Sequence, residues 1–348
     1  MRILITGGAG MVGSHCAEFF SRQNKRNKVI VLDNLARSRI FGVNKKSVEY
    51  NWRYLSDFRN IRLIKGDVRS LKDVVRAVGK GVDIVVHAAG QPGIRASVND
   101  PKEDFDINAS GTVNVLDAAR KKSKNTVFIY CSTNKVYGEN VNSLALKESK
   151  NRYSFRDMRG VNEAMPVDLT GHTPYGVSKL SGDLYVQEYS HTYGMKTGVF
   201  RMSCTYGTRQ FGFEDQGWIA WMILAALFNK PVTIYGNGKQ VRDLLYVDDL
   251  VAAFDCFLNS KLENGLFNIG GGKDNTLSLL ELLEYIKALT GKQPKIRFSD
   301  WRPADQKVYI TDLNKAGKTL KWQPRIDVWS GVAMLVDWVS RNKEYFIK

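Results

Sequence analysis

Short apolar runs alternate with helical patterns along the first part of this chain, and this alternation limits the folds that it can adopt. The strand-like runs are residues 2–6, 28–33, 61–65, 84–87, 127–131 and 197–201. Strands that alternate with helices build βαβ units, and therefore a parallel sheet whose two faces are covered by helices. The run 84–86 contains only isoleucine and valine, as expected for a strand that is buried on both faces. The sequence therefore predicts an α/β protein with a doubly wound parallel sheet.

The pattern changes in the second half of the chain. A strand-like run at 232–235 is followed by an Asn-Gly turn, and residues 277–290 have the spacing of an amphipathic helix. The longest apolar run, residues 218–228, is too short to cross a bilayer and predicts a buried helix. We expect a first domain over residues 1–205 and a smaller α+β region over residues 206–348, with some C-terminal segments returning to the first domain.

The chain is basic, with 51 Lys and Arg residues against 35 Asp and Glu residues and a net charge of +16. The basic residues are dispersed along the sequence. The densest run, residues 120–124, ends a helical pattern, where cations complement the helix dipole. We find no motif typical of nucleic-acid-binding proteins. We therefore expect no nucleic-acid partner, and we expect the charge to favour an anionic substrate.

The sequence predicts neither export, nor a membrane partner, nor a metal site. We expect no signal peptide, because a strand-like run begins at residue 2. The cysteines lack the spacing of metal ligands, which is typical of reduced thiols in a cytoplasmic protein. They are Cys16, Cys131, Cys204 and Cys256.

A glycine-rich loop follows the first strand-like run and opens a helical pattern. Gly7, Gly10 and Gly13 permit a tight turn, a close approach of the backbone to a pyrophosphate, and close packing of helix on strand. The amino end of a helix also presents free N–H groups and a positive dipole to phosphates. The loop therefore predicts a Rossmann-like fold that binds a dinucleotide.

The residue at the end of the second strand-like run selects the dinucleotide. Asp33 lies twenty residues after Gly13, where a carboxylate can hold ribose hydroxyls and would repel a 2′-phosphate. Arg37 and Arg39 weaken this preference slightly. The sequence predicts NAD as the cofactor.

Tyr175 and Lys179 stand four residues apart, a spacing that puts a phenol and an ammonium on one face of a helix. The pKa of a tyrosine, about 10, must fall by roughly three units before the phenol ionises near neutrality. The lysine charge and an oxidised nicotinamide both lower it. The phenolate can then take a proton from a substrate hydroxyl while hydride passes to NAD. Thr133, at the end of another strand-like run, can hydrogen-bond the reacting oxygen.

Together these motifs resemble the extended short-chain dehydrogenase/reductase family that acts on nucleotide sugars. The matching segments are TGGAGMVG (6–13), GDV (66–68), HAAGQ (87–91), STNKVYG (132–138), YGVSK (175–179) and RPADQ (302–306). The segments at 132–138, 209–211, 215–218, 236–243 and 305–306 resemble, more specifically, the epimerases of that family that act on CDP-sugars.

The resemblance implies roles for individual residues. It implies a catalytic triad of Thr133, Tyr175 and Lys179, with Lys179 also holding the nicotinamide ribose. The implied cofactor-binding residues are Gly7, Gly10, Met11, Val12, Gly13, Asp33, Asn34, Asp67, Val68, Ala88, Ala89, Gly90, Asn108, Ser132, Tyr175 and Lys179. The implied substrate-binding residues are Gln91, Asn134, Arg209, Gln216, Arg242 and Arg302, of which Arg242 and Arg302 match positions that hold the diphosphate. It also suggests a homodimer or homotetramer, assembled partly through the two helices that flank the triad.

One difference separates the reactions of this family. The 4,6-dehydratases that resemble this chain carry Asp-Glu directly after the active-site threonine, a pair that expels water, whereas Asn134 and Lys135 follow Thr133 here. The sequence therefore favours a cycle of oxidation and reduction without elimination, which inverts a carbinol carbon.

Several interpretations stay open on sequence alone. The chain could invert carbon 2 of a CDP-sugar or carbon 4 of a UDP-sugar, or it could sense a dinucleotide without turnover. Phe211 could stack on the nucleotide base or belong to the core. We expect His87 and Cys131 to be structural, and we expect the mixed-charge insert 139–172 to cover the sugar.

Overall fold

The structure, a computed structural model, describes residues 1–123, 125–302 and 305–346. Its strands are β1 (Arg2–Thr6), β2 (Lys28–Asp33), β3 (Ile61–Lys65), β4 (Ile84–His87), β5 (Val127–Thr133), β6 (Leu146–Glu148), β7 (Tyr153–Phe155), β8 (Thr197–Met202), β9 (Cys204–Tyr206), β10 (Pro231–Tyr235), β11 (Val241–Tyr246), β12 (Asn264–Ile269), β13 (Thr276–Ser278), β14 (Lys295–Ser299) and β15 (Val308–Tyr309).

The α-helices are α1 (Met11–Gln23), α2 (Arg37–Phe41), α3 (Lys45–Ser56), α4 (Leu71–Val78), α5 (Ile94–Asn99), α6 (Pro101–Phe105), α7 (Gly111–Lys122), α8 (Thr173–Tyr193), α9 (Trp218–Leu227), α10 (Val247–Leu258), α11 (Leu279–Thr290), α12 (Asn314–Leu320) and α13 (Val328–Arg341). A π-helix, Asp106–Ser110, joins α6 to α7, and 3₁₀ segments cover Asn134–Ser143 and Lys343–Tyr345.

The first compact unit is built on a seven-stranded sheet with the order β12-β8-β5-β4-β1-β2-β3. The unit comprises Met1–Val136, Thr173–Arg201 and Val251–Phe267. The pairs β1–β2, β2–β3, β1–β4 and β4–β5 are all parallel. The chain runs outward from β1 to β3 and then resumes at β4 on the other side of β1, so the strand order reverses between β1 and β4. In such sheets ligands bind at the carboxyl ends of the strands at this reversal.

The strands at the centre of this sheet are apolar because both of their faces are covered. Every residue of β4 is buried, and so are residues 3–6 of β1. Helices α4 and α7 pack against each other and contribute Val74, Val78, Val115 and Leu116 to the same core. The predicted α/β class with a Rossmann-like parallel sheet is confirmed.

The second compact unit contains smaller mixed sheets. It comprises Tyr137–His172, Met202–Leu250 and Asn268–Lys348. Strand β11 pairs in parallel with β9 and β15 and antiparallel with β13. Two-stranded sheets join β10 to β14 and β6 to β7. These sheets and the helices around them confirm the prediction that this part of the chain has a smaller α+β structure.

The division of the chain is finer than one boundary at residue 205. The chain passes into the second unit at Met202, and Val251–Phe267 returns to the first. The insert 139–172, which the sequence analysis left within residues 1–205, belongs to the second unit and contains the hairpin β6–β7. The insert belongs to the second unit because of contacts with residues that are far from it in sequence.

The longest apolar run forms α9, in which seven of the ten residues are buried and Trp218, Trp221 and Leu227 are half-buried. The helix packs against α11 and α13 within the second unit. No helix among the described residues combines the length and the apolar character that crossing a membrane requires.

Candidate active site

The glycine-rich loop between β1 and α1 is too tightly folded to admit side chains. Gly7 has a φ angle of +69°, and a Cβ there would lie 2.5 Å from a backbone nitrogen of the segment after β4. A Cβ on Gly13 would lie 2.3 Å from the Gly7 carbonyl oxygen. Gly10 caps α1 without a side-chain hydrogen bond. Because helix geometry gives the first-turn amides no intrahelical acceptor, those of Met11 and Val12 can bind an anion.

Asp33 brings a carboxylate to the same loop. Its oxygens accept hydrogen bonds from the Ala9 amide at 2.9 Å and from the Leu35 amide at 2.8 Å. Burial raises the pKa of Asp33, and the two amide hydrogen bonds oppose that shift. A carboxylate fixed beside a phosphate-binding loop is the acceptor that ribose hydroxyls need. The loop backbone, the helix end and this carboxylate together fit NAD.

Asn34 follows Asp33 in sequence, and the structure links it directly to Asp67 of the GDV segment. Asn34 Nδ2 donates to Asp67 at 2.8 Å, and Arg69 pairs with Asp67 at 2.7 Å. Burial raises the pKa of Asp67, but the bonds from Arg69 and Asn34 outweigh it and lower that pKa to about 2. Val68 is buried, and Gly111 leaves room for its side chain.

His87, at the end of β4, is a structural residue. Its ring nitrogens lie 2.7 Å from Thr6 Oγ1 and 3.0 Å from Thr112 Oγ1. Burial, helped by the charge of Lys179, lowers the pKa of His87 to about 3. The imidazole is therefore neutral and ties β1 to β4 and α7.

Residues 88–90 bring the predicted cofactor residues close to the lysine of the triad. A Cβ on Gly90 would lie 3.0 Å from Asn108 Oδ1 and 3.9 Å from Lys179 Nζ. The amides of Ala88 and Ala89 donate to Thr6 at 3.1 and 3.3 Å. Asn108 and Lys179 thus approach the same stretch of backbone after β4.

The first unit assembles the predicted triad at the end of β5 and the start of α8. Thr133 is the last residue of β5, and its hydroxyl is hydrogen-bonded to the phenol of Tyr175. Tyr175 and Lys179 lie one helical turn apart on α8. The Lys179 ammonium is buried and sits 4.2 Å from the centroid of the Tyr130 ring. This arrangement can bind a hydroxyl oxygen and move its proton.

Burial acts on both titratable groups of this pair. Burial raises the pKa of Tyr175 to about 12, although the hydrogen bond from Thr133 lowers it. Burial also lowers the pKa of Lys179 to about 8. The depressed tyrosine pKa that the spacing suggested is therefore not produced by the chain's own groups, because the desolvation of the phenol outweighs its neighbours.

Ser132, predicted to contact the cofactor, uses its hydroxyl within the protein. It donates to Asp183 Oδ2 at 2.7 Å. Asp183 is in turn paired with Arg201 at 2.9 Å and accepts from Gln187 at 2.6 Å. This buried network fixes the middle of α8 against β5 and β8, and so fixes the direction of the triad.

Thr133 has no neighbouring carboxylate in sequence. Its hydroxyl donates to Asn134 Oδ1 at 3.4 Å and accepts from the Lys135 amide at 3.3 Å. Asn134 is buried. The position next to the reacting oxygen is therefore held by an amide, which does not donate and accept protons as a carboxylate pair does.

A buried hydrogen-bond network around Asp104, for which the sequence gives no signal, lies beside the triad. The buried carboxylate of Asp104 accepts hydrogen bonds from Gln91 Nε2 at 3.0 Å and from Asn108 Nδ2 at 3.1 Å. Asn108 Nδ2 also lies 3.1 Å from Ser178 Oγ. Gln91, predicted to bind substrate, hydrogen-bonds Gly93 and Asp104 through its side chain, so its amide serves this network.

In the second unit both arginines predicted to hold the diphosphate form ion pairs. Arg242 Nη2 lies 2.8 Å from Asp305 Oδ1, and Arg302 Nη2 lies 3.1 Å from Asp215 Oδ1. The Arg302 guanidinium also stacks 4.0 Å from the centroid of the Tyr235 ring. These contacts hold both guanidinium groups in defined orientations, and each retains further N–H donors. Two residues of the RPADQ segment, Pro303 and Ala304, lie outside the described residues.

The other predicted substrate residues of this unit occupy different environments. Arg209 is buried with a φ angle of +61°. Gln216 closes a tight turn with Phe213 through two backbone hydrogen bonds of 3.0 Å. Phe211 is buried in an aromatic cluster, so the structure assigns it to the core rather than to a base-stacking surface. Its partners are Trp338 and Phe346.

The sequence profile of the NAD dependent epimerase/dehydratase family matches residues 3–270. The chain belongs to this family. It is an NAD-dependent enzyme that acts on nucleotide sugars. The chain is 38% identical to the CDP-paratose 2-epimerase of Salmonella typhi, over 98% of this chain and 99% of that protein. It is 33% identical to a putative UDP-glucose 4-epimerase of Methanocaldococcus jannaschii, over 98% and 99%.

Solved structures of epimerases share the fold of this family member along its whole length. The UDP-glucuronic acid 4-epimerase of Bacillus cereus, in complex with UDP-glucuronic acid and NAD, superposes with a TM-score of 0.82. That protein is 26% identical, and the match covers 98% of this chain and 100% of that one. The UDP-glucose 4-epimerase of Thermus thermophilus in complex with NAD gives a TM-score of 0.79 at 28% identity, covering 98% and 99%.

Proposed function

We propose that this enzyme interconverts CDP-paratose and CDP-tyvelose by inverting carbon 2 of the sugar. The observation that carries this proposal is the Thr133–Tyr175–Lys179 arrangement with Asn134 and Lys135 after the threonine, where a dehydration would need carboxylates. The 38% identity to a CDP-paratose 2-epimerase along nearly the whole chain supports the choice of substrate.

The inverted carbon of such a sugar carries no acidic hydrogen, so its configuration changes only after oxidation to a planar ketone. Tyr175 accepts the hydroxyl proton, and Thr133 holds the oxygen by a hydrogen bond. Lys179, as an ammonium, stabilises the ionised phenol. When bound, NAD supplies the acceptor that takes the hydride and later returns it to the opposite face. Tyr175 then gives the proton back to the oxygen.

We propose cofactor contacts for the residues that the family resemblance implies. Gly7, Gly10 and Gly13, with the amides of Met11 and Val12, hold the pyrophosphate. The adenosine is held by Asp33, Asn34, Asp67 and Val68, and the nicotinamide half by Ala88, Ala89, Gly90, Asn108, Ser132, Tyr175 and Lys179. Because the redox cycle closes on itself, we expect the cofactor to stay bound and to be needed in catalytic amount only.

We propose that Arg242 and Arg302 bind the diphosphate of the substrate, with Arg209 as a third cation. A guanidinium suits this role because it forms two parallel charge-assisted hydrogen bonds with a phosphate. Asp305 and Asp215 hold the two arginines in place and keep their charges compensated before substrate binds. We assign further substrate contacts to Asn134 and Gln216, whereas the Gln91 side chain, although predicted to bind substrate, holds Gly93 and Asp104.

A panel of CDP- and UDP-sugars tests the substrate. The purified enzyme should interconvert CDP-paratose and CDP-tyvelose, with the configuration of each product established by NMR and its mass unchanged. Conversion of UDP-glucose alone would reject the proposal. It would favour the second candidate, a UDP-sugar 4-epimerase. The 33% identity to a putative UDP-glucose 4-epimerase supports that candidate.

We also propose that the enzyme is a homodimer or homotetramer of the cytoplasm. Large apolar side chains are exposed on the two helices that flank the triad, among them Val177, Leu184 and Tyr185 on α8 and Phe105 at the end of α6. The spacing of seven and eight residues on α8 puts its three on one face. The family resemblance implies that a second copy of the chain packs against this face.

A further inference from the structure

Asp104 is a buried carboxylate close to the triad, and the reaction described above does not use it. It lies on the short helix α6 and is 1% exposed. One oxygen, Oδ1, accepts the hydrogen bonds from Gln91 and Asn108. Within hydrogen-bond distance, none of the described residues donates to the buried second oxygen, Oδ2. Burial raises the pKa of Asp104, and the Ser178 hydroxyl and the charge of Lys179 oppose that shift.

A carboxylate in this position needs a nearby positive charge, because burying an unpaired anion is costly. The elements packed against α6 are α5, the π-helix and α8. Arg95 of α5 is exposed, and Asp106 of the π-helix pairs with Lys102 at the surface. Helix α8 presents the buried ammonium of Lys179 and the phenol of Tyr175, and both interact electrostatically with Asp104.

Lys179 in turn faces the ring of Tyr130, whose pKa burial raises, and four further titratable groups besides Tyr175. His87 is neutral, and burial raises the pKa of the Cys131 thiol to about 12, so neither carries charge near neutrality. Asp183 is already paired with the buried Arg201. Of the groups that interact with Lys179, Asp104 is therefore the carboxylate whose charge is not already matched by a guanidinium.

The hydrogen bonds of Asp104 also lead toward Lys179. Asn108 Nδ2 donates to Asp104, and Asn108 Oδ1 accepts from the backbone N–H of Gln91 at 2.9 Å. The same Oδ1 atom and Lys179 Nζ lie within 3.0 and 3.9 Å of the position that a Cβ on Gly90 would take. The Asp104 carboxylate thus fixes the orientation of the Asn108 side-chain amide, which lies close to Lys179.

We propose that Asp104 is a positioning residue of the active site, whose buried carboxylate is the counter-charge of Lys179 and orients Asn108 beside it. Lys179 has little margin as an ammonium, since burial lowers its pKa to about 8 while Asp104 raises it. Removing the negative charge lowers the pKa of Lys179 further, so more of the lysine is neutral at pH 7 to 8.

The test compares Asp104→Asn, which keeps the shape and Oδ1, with Asp106→Asn, the same change two residues away at the surface. Lysines labelled with ¹³C at Cε are titrated by NMR in the protein as purified with NAD added, and Lys179→Met assigns the resonance. Asp104→Asn should lower the titration midpoint of Lys179 by roughly one pH unit, and Asp106→Asn should leave it unchanged. If Asp104→Asn does not fold, Asp104→Ser removes the same charge in a smaller side chain.

The outcomes separate the two roles and the two proposals. An unchanged Lys179 midpoint in both Asp104 variants, even with a lower melting temperature, would overturn the counter-charge and leave Asp104 a purely structural residue. The NMR titration requires no sugar turnover, so it stands if the proposed substrate is wrong. The effect on catalysis rests on the proposed function: the alkaline limb of kcat/KM for the CDP-sugar should shift with the Lys179 midpoint.

Discussion

Tyr175 is the residue on which proton transfer depends in this account. Removing its hydroxyl in Tyr175→Phe keeps the ring on α8 but leaves no group to exchange a proton with the substrate. We expect kcat to fall by about 10²- to 10⁴-fold, while the NAD released on denaturation stays at the parent amount. Tyr185→Phe, on the exposed face of the same helix, should match the parent. Parent-like turnover by Tyr175→Phe would remove the phenol from the reaction.

Arg242 tests the proposed diphosphate site. Arg242→Ala removes the cation that pairs with Asp305 and leaves that carboxylate to repel the substrate's phosphates. We expect KM for the nucleotide sugar to rise at least tenfold, with NAD content unchanged, because the cofactor residues lie in other segments. Lys239→Ala, which breaks a pair with Glu148 in the same unit, is the matched control. A KM equal to that of the parent would place Arg242 outside the site.

The places of the three proposed triad residues in the fold could be predicted from sequence, but the effect of burial on their pKa values could not. The four-residue spacing of Tyr175 and Lys179 carries the geometry of a helix, and Thr133 ends a recognisable strand. Burial depends on what packs around a group, so the raised pKa of Tyr175 had no signal in the spacing. Asp104 was missed for the same reason, since nothing distinguishes it from the more exposed Glu103 and Asp106 beside it.

At the scale of elements, the ion pair between Asp183 of α8 and Arg201 of β8 holds the triad helix on the sheet. Asp183→Asn leaves Arg201 buried without its counter-charge, and we expect the free energy of unfolding to fall by about 3 kcal/mol. Denaturant unfolding measures this. Asp337→Asn breaks a surface pair with Arg341 and should cost less than about 0.5 kcal/mol. Equal effects of the two changes would contradict a structural role for the buried pair.

Apolar periodicity predicted the existence and type of the elements better than their ends. Helix α1 begins at Met11, so Gly13 of the glycine-rich motif already lies within the helix although its sequence is typical of a loop. Helix α11 begins at Leu279, two residues after the predicted start, because Ser278 caps it through a capping box with Glu281. In both cases the backbone hydrogen bonds at the helix end, which periodicity does not report, set the boundary.

At the scale of the whole molecule, the exposed apolar face of α8 predicts self-association. The parent should elute as a dimer or tetramer in size-exclusion chromatography with light scattering. Leu184→Glu puts a charge into that face and should shift the species toward the monomer. Leu289→Glu makes the same change at an exposed leucine of α11 and should not. A parent protein that stays monomeric at high concentration would contradict the assembly.

The division of the chain into two units could be predicted only in outline. The change of pattern after the sixth strand-like run indicated where the second unit starts, because parallel βαβ units leave a readable alternation. The sequence predicts that some C-terminal segments return to the first domain, but which segment returns, Val251–Phe267, and the place of residues 137–172 in the second unit depend on contacts between distant segments. Such contacts are invisible to local patterns.

The central claim is that one hydride leaves the sugar carbon and comes back to it from the other side. The measurement is NMR and mass spectrometry of product formed from substrate carrying deuterium at the inverting carbon, in ordinary water. We expect the product to keep its deuterium at that carbon in inverted configuration. Loss of the deuterium to solvent during turnover would contradict it, because exchange requires a route through an enol rather than a returned hydride.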